Sequence, residues 1–127
     1  MYTIHEVCER TGLTAHTLRY YEKEGLLPNV RRSQGGFRQY SEEDLEALGL
    51  ICCLKNTGMP LSDIAQFMAL TREGDQTLRQ RCALLKRHQA VVLERMSEME
   101  RHLEKVTHKL EHFSRKLSEY EQESRET

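Results

Sequence analysis

The chain of 127 residues has no tryptophan, two prolines and three phenylalanines, and only 6% of it is aromatic. So small an aromatic content does not fill a large enzyme core, and suits a helical protein with a long solvated surface. Long apolar runs are missing as well. The longest apolar run without a charge, Ala47 to Leu54, is far short of the roughly 20 apolar residues a membrane-spanning helix needs. The chain does not open with a basic segment followed by an apolar one, so no signal peptide is expected and the chain is placed in the cytoplasm. Cys-x-x-Cys pairs are absent too. The four cysteines, Cys8, Cys52, Cys53 and Cys82, are expected as reduced thiols with no structural zinc site. Nor do paired carboxylates, a nucleophile with its base, or a phosphate-cradling glycine loop occur in a plausible pocket, so enzymatic activity and a cofactor are not expected.

What is present is charge, 31% of the residues, with a net value of -1 that hides an asymmetry. Residues 1–40 hold six basic side chains (Arg10, Arg19, Lys23, Arg31, Arg32, Arg38) against four acidic ones, and the remainder holds thirteen against sixteen. A basic N-terminal third is compatible with a polyanionic partner.

That third has the spacing of a helix-turn-helix. Thr3 and Glu6 form a capping-box pair that opens a first helix with Ile4 and Val7 inward. Thr11-Gly12-Leu13 breaks it, and Thr14 caps a second helix through Leu18 and Tyr21 to about Glu24, where Gly25 stops it. After Leu26-Leu27-Pro28, the basic stretch from Asn29 to Gln39 reads as a two-stranded wing turning at Gly35-Gly36. Ser41 with Asp44 opens a third helix to Thr57, and Leu61 to Leu70 forms a fourth. Thr71 to Asp75 reads as a linker.

In a helix-turn-helix the second helix enters the major groove with its N-terminal residues at the base edges. Those residues are Thr14, Ala15, His16 and Thr17, small or hydrogen-bonding types suited to groove contacts. Arg19 and Tyr20 follow on a face that reaches phosphates, while Leu18 and Tyr21 turn inward. Arg38 on the wing adds a cation outside the groove.

From Leu78 to Tyr120 apolar residues recur at alternating steps of four and three: Leu78, Cys82, Leu85, Gln89, Val92, Met96, Met99, Leu103, Val106, Leu110, Phe113, Leu117 and Tyr120, with Gln89 the single polar member. This predicts one helix roughly 60 Å long whose narrow stripe requires a partner helix, hence a coiled-coil homodimer with Leu85, Val92, Met96, Met99, Leu103, Val106, Leu110 and Phe113 in the seam. The organisation expected is a DNA-binding domain with linker over 1–75, a dimerisation helix over 76–120 and a polar tail over 121–127. The heptads alone leave parallel and antiparallel pairing open, and a coiled-coil adaptor that binds protein remains the alternative of another class.

Three stretches, LTAHTLRYYEKEGLLP, RSQGGFRQYSEEDLEALGLI and GMPLSDI, resemble the MerR family of bacterial transcription regulators, from Met1 to about Leu70. The resemblance implies a mainly α fold, a winged helix-turn-helix followed by an antiparallel coiled coil. It also implies a dimer on palindromic double-stranded promoter DNA that activates by bending and untwisting a long spacer near RNA polymerase, at a deformation cost of several kcal/mol. By the same resemblance His16, Thr17, Arg19 and Tyr20 of the recognition helix and Phe37 and Arg38 of the wing contact DNA. Tyr21 and Tyr40 are expected in the core.

The chain stops seven residues past the last heptad position, so no drug-binding domain is expected there, and no cysteine after Cys82 supports a metal loop. His108 and His112 fall on the outer face of the long helix, where solvation is expected, and Cys82 and Cys8 are expected to pack. ICCLKNTGMPL followed by TREGDQT is similar to the thiol-based subgroup that responds to aldehydes and other electrophiles, and that resemblance places the sensor at Cys53, with Cys52 second. About 100° of helix rotation separates the two, and a disulfide between adjacent residues is strained. A regulator with a different inducer or none, its cysteines purely structural, stays open beside it.

Overall fold

Helix starts follow the short-range rules. In a computed structural model describing residues 1–27 and 30–126, the Thr3 side chain accepts from the Glu6 backbone while the Glu6 carboxylate returns to the Thr3 N–H, opening α1 (Ile4–Thr11). That bond holds the Glu6 carboxyl below its ordinary 4.5. Gly12 closes α1 at φ 75°, a left-handed conformation that L side chains avoid. The Thr14 hydroxyl accepts from the Thr17 N–H to start α2 (Ala15–Lys23). Ser41 and Asp44 form a second reciprocal box at the head of α3 (Glu42–Asn56).

The wing is the antiparallel pair β1 (Arg31–Arg32) and β2 (Arg38–Gln39), with Arg31 opposite Gln39 and Arg32 opposite Arg38. Gly36 takes φ 82° at its turn. Tyr40 then pairs with Tyr2 through two backbone bonds of 2.7 and 2.8 Å, joining the wing's base to the N-terminal residues. Pro28, Asn29 and Thr127, which entered the expected wing stretch and tail, lie outside the described residues.

The fourth helix differs from expectation. α4 runs Leu61–Glu73, so Thr71, Arg72 and Glu73 are helical and not linker. The reason is tertiary: the Arg72 guanidinium donates to the Gly25 carbonyl at 3.1 Å, which keeps the last turn wound until Gly74 at φ 99°. A short 3-10 turn (Asp75–Thr77) leads into α5 (Leu78–Glu126), which continues six residues beyond Tyr120. Thr77 is the buried polar residue here. Its hydroxyl meets the Leu70 and Gly74 carbonyls at 2.7 and 2.8 Å and receives Arg81 Nε at 3.0 Å.

Two compact units result, Met1–Lys86 and Arg87–Thr127. In the first, Val7, Leu18, Tyr21, Leu26, Leu27, Tyr40, Leu48, Ile51 and Ile64 are fully enclosed. Enclosing each large apolar side chain contributes about 1.5–3 kcal/mol relative to leaving it in water. Among the described residues the second unit is helix alone and has no enclosed apolar residue. Along α5 Met96, Met99, Leu103, Val106, Leu110, Phe113, Leu117 and Tyr120 are all more than half exposed. Val91 and Leu93, off the heptad stripe, are exposed as well.

Candidate nucleic-acid interface

The second helix of the helix-turn-helix is α2, and burial divides its sides. Leu18 and Tyr21 are sealed in the core, whereas Thr14, His16, Arg19 and Tyr20 are exposed and Thr17 is half-buried. The Thr14 and Thr17 hydroxyls lie 2.9 Å apart, and Thr14 also accepts the Thr17 N–H at 3.1 Å. The cap therefore occupies part of the hydrogen-bonding capacity of both threonines, while the His16 and Arg19 side chains stay open. Lys55 Nζ, from α3, reaches the Tyr21 hydroxyl at 3.3 Å and anchors the inner side.

The wing meets this helix through one ion pair. Arg38 Nε donates to Glu22 Oε2 at 2.6 Å, and both side chains are only 23% exposed. Arg38 of β2 and Glu22 of α2, far apart in sequence, thus tie the wing to the recognition helix. At the wing tip Phe37 is 76% exposed. Its ring lies so close to Gly35 that a Cβ there would meet it at 3.2 Å. Ser33 and Phe37 close the loop through a 2.7 Å backbone bond. Arg31 and Arg32, exposed on β1, extend the basic surface, with Arg32 Nη1 donating to Gly36 O at 3.2 Å. The sequence reading counted these two arginines but did not assign them to the interface; their place opposite Gln39 and Arg38 was the missing signal.

This arrangement of capped recognition helix and tethered basic wing agrees with known proteins. Residues 2–71 match the family model of the MerR HTH family regulatory protein, and residues 45–109 match the MerR DNA-binding model. The chain belongs to the MerR family. An HTH-type transcriptional regulator of Haemophilus influenzae is 43% identical over 109 residues, covering 86% of this chain and 81% of that protein. The structure of HiNmlR, a MerR family regulator lacking the sensor domain and bound to promoter DNA, is 43% identical with a TM-score of 0.80, covering 86% of each chain. A MerR family regulator from Listeria monocytogenes is 31% identical with a TM-score of 0.84, covering 90% of this chain and 86% of that one. Like its MerR relatives, the protein is a DNA-binding transcriptional regulator with a mainly α fold.

The cysteines of this MerR protein fall in different surroundings. Cys53 is exposed on the last turns of α3, and its carbonyl accepts both the Thr57 N–H at 3.0 Å and the Thr57 hydroxyl at 2.8 Å. Cys52 is half-buried and borders a cavity of about 510 Å³ lined by Arg10, Thr11, Leu45, Leu48 and Gly49. Cys8 packs against the core from α1. Cys82, expected to pack, is exposed in the single chain. His108 and His112 are on α5, and among the described residues no three metal-ligating side chains cluster. Among those residues no helix is long and apolar enough to cross a membrane.

Proposed function

We propose that the protein acts as a cytoplasmic homodimer on a palindromic element of double-stranded promoter DNA, near RNA polymerase, and switches transcription by distorting that DNA. Residues 1–75 form the DNA-binding domain in this reading, 76–120 the dimerisation helix and 121–127 a polar tail. Thr14, His16, Thr17, Arg19 and Tyr20 face the groove and its phosphates, and Phe37 and Arg38 flank them. The seam is Leu85, Val92, Met96, Met99, Leu103, Val106, Leu110 and Phe113. It is not an enzyme: its role is contact and deformation, not bond-making. The observation that carries the reading is the 2.6 Å Arg38–Glu22 contact, which sets the wing cation beside the exposed face of α2. A relative solved on promoter DNA supports it.

A thiol switch is the second part of the reading, favoured by the exposure of Cys53 on α3. A thiolate there adds to the carbonyl carbon of an aldehyde; the C=O π pair moves onto oxygen, which takes a proton from water, and a hemithioacetal results. A change of about 2–3 kcal/mol between two dimer conformations then alters promoter output severalfold or more. The test is in-vitro transcription from the DNA upstream of the protein's own gene, with and without methylglyoxal. Wild type is expected to change output with aldehyde and Cys53→Ala to ignore it. Arg19→Ala is expected to lose promoter control and to lower the salt slope of DNA binding by about 1. Equal responses of wild type and Cys53→Ala would retire the thiol switch; salt-independent DNA binding would retire the interface and favour a protein-binding adaptor.

A further inference from the structure

Arginine and a carboxylate frequently pair through two parallel N–H bonds to the two carboxylate oxygens. The Arg38–Glu22 pair is different. The 2.6 Å bond is made side-on by Nε, to a single oxygen of Glu22. A guanidinium has five N–H donors. Among the described residues, Nε–H is the one Arg38 donor with a protein acceptor, so the planar fork of four N–H groups on the terminal nitrogens stays available. Both side chains are about three-quarters shielded, which restricts their rotamers, and the wing that carries Arg38 is pinned at its base by the Tyr2–Tyr40 pairing.

We propose that Glu22 is a positioning residue for DNA recognition: it holds Arg38 by Nε so that the terminal fork is aimed outward to take one backbone phosphate bidentately. The inference rests on the reading of Arg38 as a phosphate contact. Its physical content is preorganisation. A long free arginine loses rotamer freedom when it docks on phosphate, whereas one already tethered loses less, and a planar fork suits the two oxygens of a phosphodiester. The tether has an opposing effect, because the Glu22 carboxylate places a negative charge close to the bound phosphate. Geometry and charge can therefore be separated by substitution. Glu22→Gln keeps an oxygen that accepts from Nε–H and removes the charge; Glu22→Ala removes both.

The experiment measures binding to a fluorescent duplex of the DNA upstream of the protein's own gene, between about 50 and 200 mM salt, for full-length variants. Arg38→Ala is expected to lower the slope of log K against log salt by about 1. Glu22→Ala is expected to reproduce that drop with a roughly tenfold or greater loss of affinity, on the order of one lost charge-assisted contact, and the double variant to bind no worse than Arg38→Ala. Glu22→Gln is expected to bind within about twofold of wild type, or more tightly, since the bond survives and the repulsion is gone. Arg38→Lys tests the same geometry without touching Glu22: an ammonium is a point charge with no planar fork to match two phosphate oxygens, so it should follow Arg38→Ala. If Glu22 only braces the fold, Glu22→Ala lowers the melting temperature and leaves the slope intact, and the proposal is overturned. An Arg38→Lys slope equal to wild type overturns it too, because a point charge then suffices. If Arg38→Ala itself leaves the slope unchanged, the reading of Arg38 as a DNA contact fails and the inference falls with it.

Discussion

Tyr40 sits beside the wing's ion pair with its ring fully enclosed, yet its hydroxyl has no hydrogen-bond partner among the described residues. A buried hydroxyl without a partner costs about 1–3 kcal/mol relative to a satisfied one. Burial, followed by the nearby Glu22 carboxylate, raises the phenol above its ordinary 10.0. The unfolded chain then releases this proton near pH 10 while the folded chain still holds it. The contribution to stability is full below pH 10 and is lost as pH climbs through the raised folded value. Tyr40→Phe is expected to raise the denaturant midpoint, by on the order of 1 kcal/mol, and to flatten the alkaline decline above pH 10. Tyr2, bonded to Glu42 and also raised, should leave a residual slope of the same sign. A midpoint that falls on Tyr40→Phe would show that the hydroxyl has a partner worth keeping. The ring's inward position was expected alongside the family resemblance; the unpartnered hydroxyl was not, since it depends on which side chains close over it.

The helices α1, α2 and α3 begin where their capping residues are, because a cap is decided within three positions of chain. The α3 box is the clearest case: Asp44 N–H donates to Ser41 Oγ at 3.1 Å and Ser41 N–H to Asp44 Oδ2 at 2.9 Å. This helix carries Leu48, Ile51 and Leu54 into the core and presents Cys53 outward. Ser41→Ala is expected to destabilise the head by about 1 kcal/mol, measured by urea unfolding. Ser41→Asp, which keeps an acceptor at the cap, should recover most of it. Helix ends were less legible than helix starts. α3 ends at Asn56, within one residue of the expected Thr57, but α4 passes Leu70 because Arg72 finds a carbonyl acceptor on Gly25, which no local pattern announces.

At the scale of the whole molecule, α5 presents apolar side chains that the chain itself does not cover. Leu103 is 61% exposed and Leu110 is 64% exposed. A stripe of this regularity in water is the mark of a partnered coiled coil. Leu103→Glu with Leu110→Glu is expected to convert the dimer to monomer in analytical ultracentrifugation. It should also weaken binding to the upstream duplex by about 100-fold or more, because two heads that act as one bivalent ligand become separate. A charged seam that remains dimeric with unchanged affinity would place the dimer contact elsewhere, with Val91 and Leu93 the next surface to change.

The amino-acid sequence by itself determined the capped starts of α1, α2 and α3, the glycine turn of the wing, the heptad stripe and the family, since each rests on residues a few positions apart or on a repeating period. Only the tertiary structure decided which groups meet across the fold. Arg38 finds Glu22, Arg72 finds Gly25, and Cys52 lines a cavity while its neighbour Cys53 faces outward. Those pairings join distant chain positions through the packing of a shared core, and their distances follow from side-chain volumes and rotamers that no local period encodes.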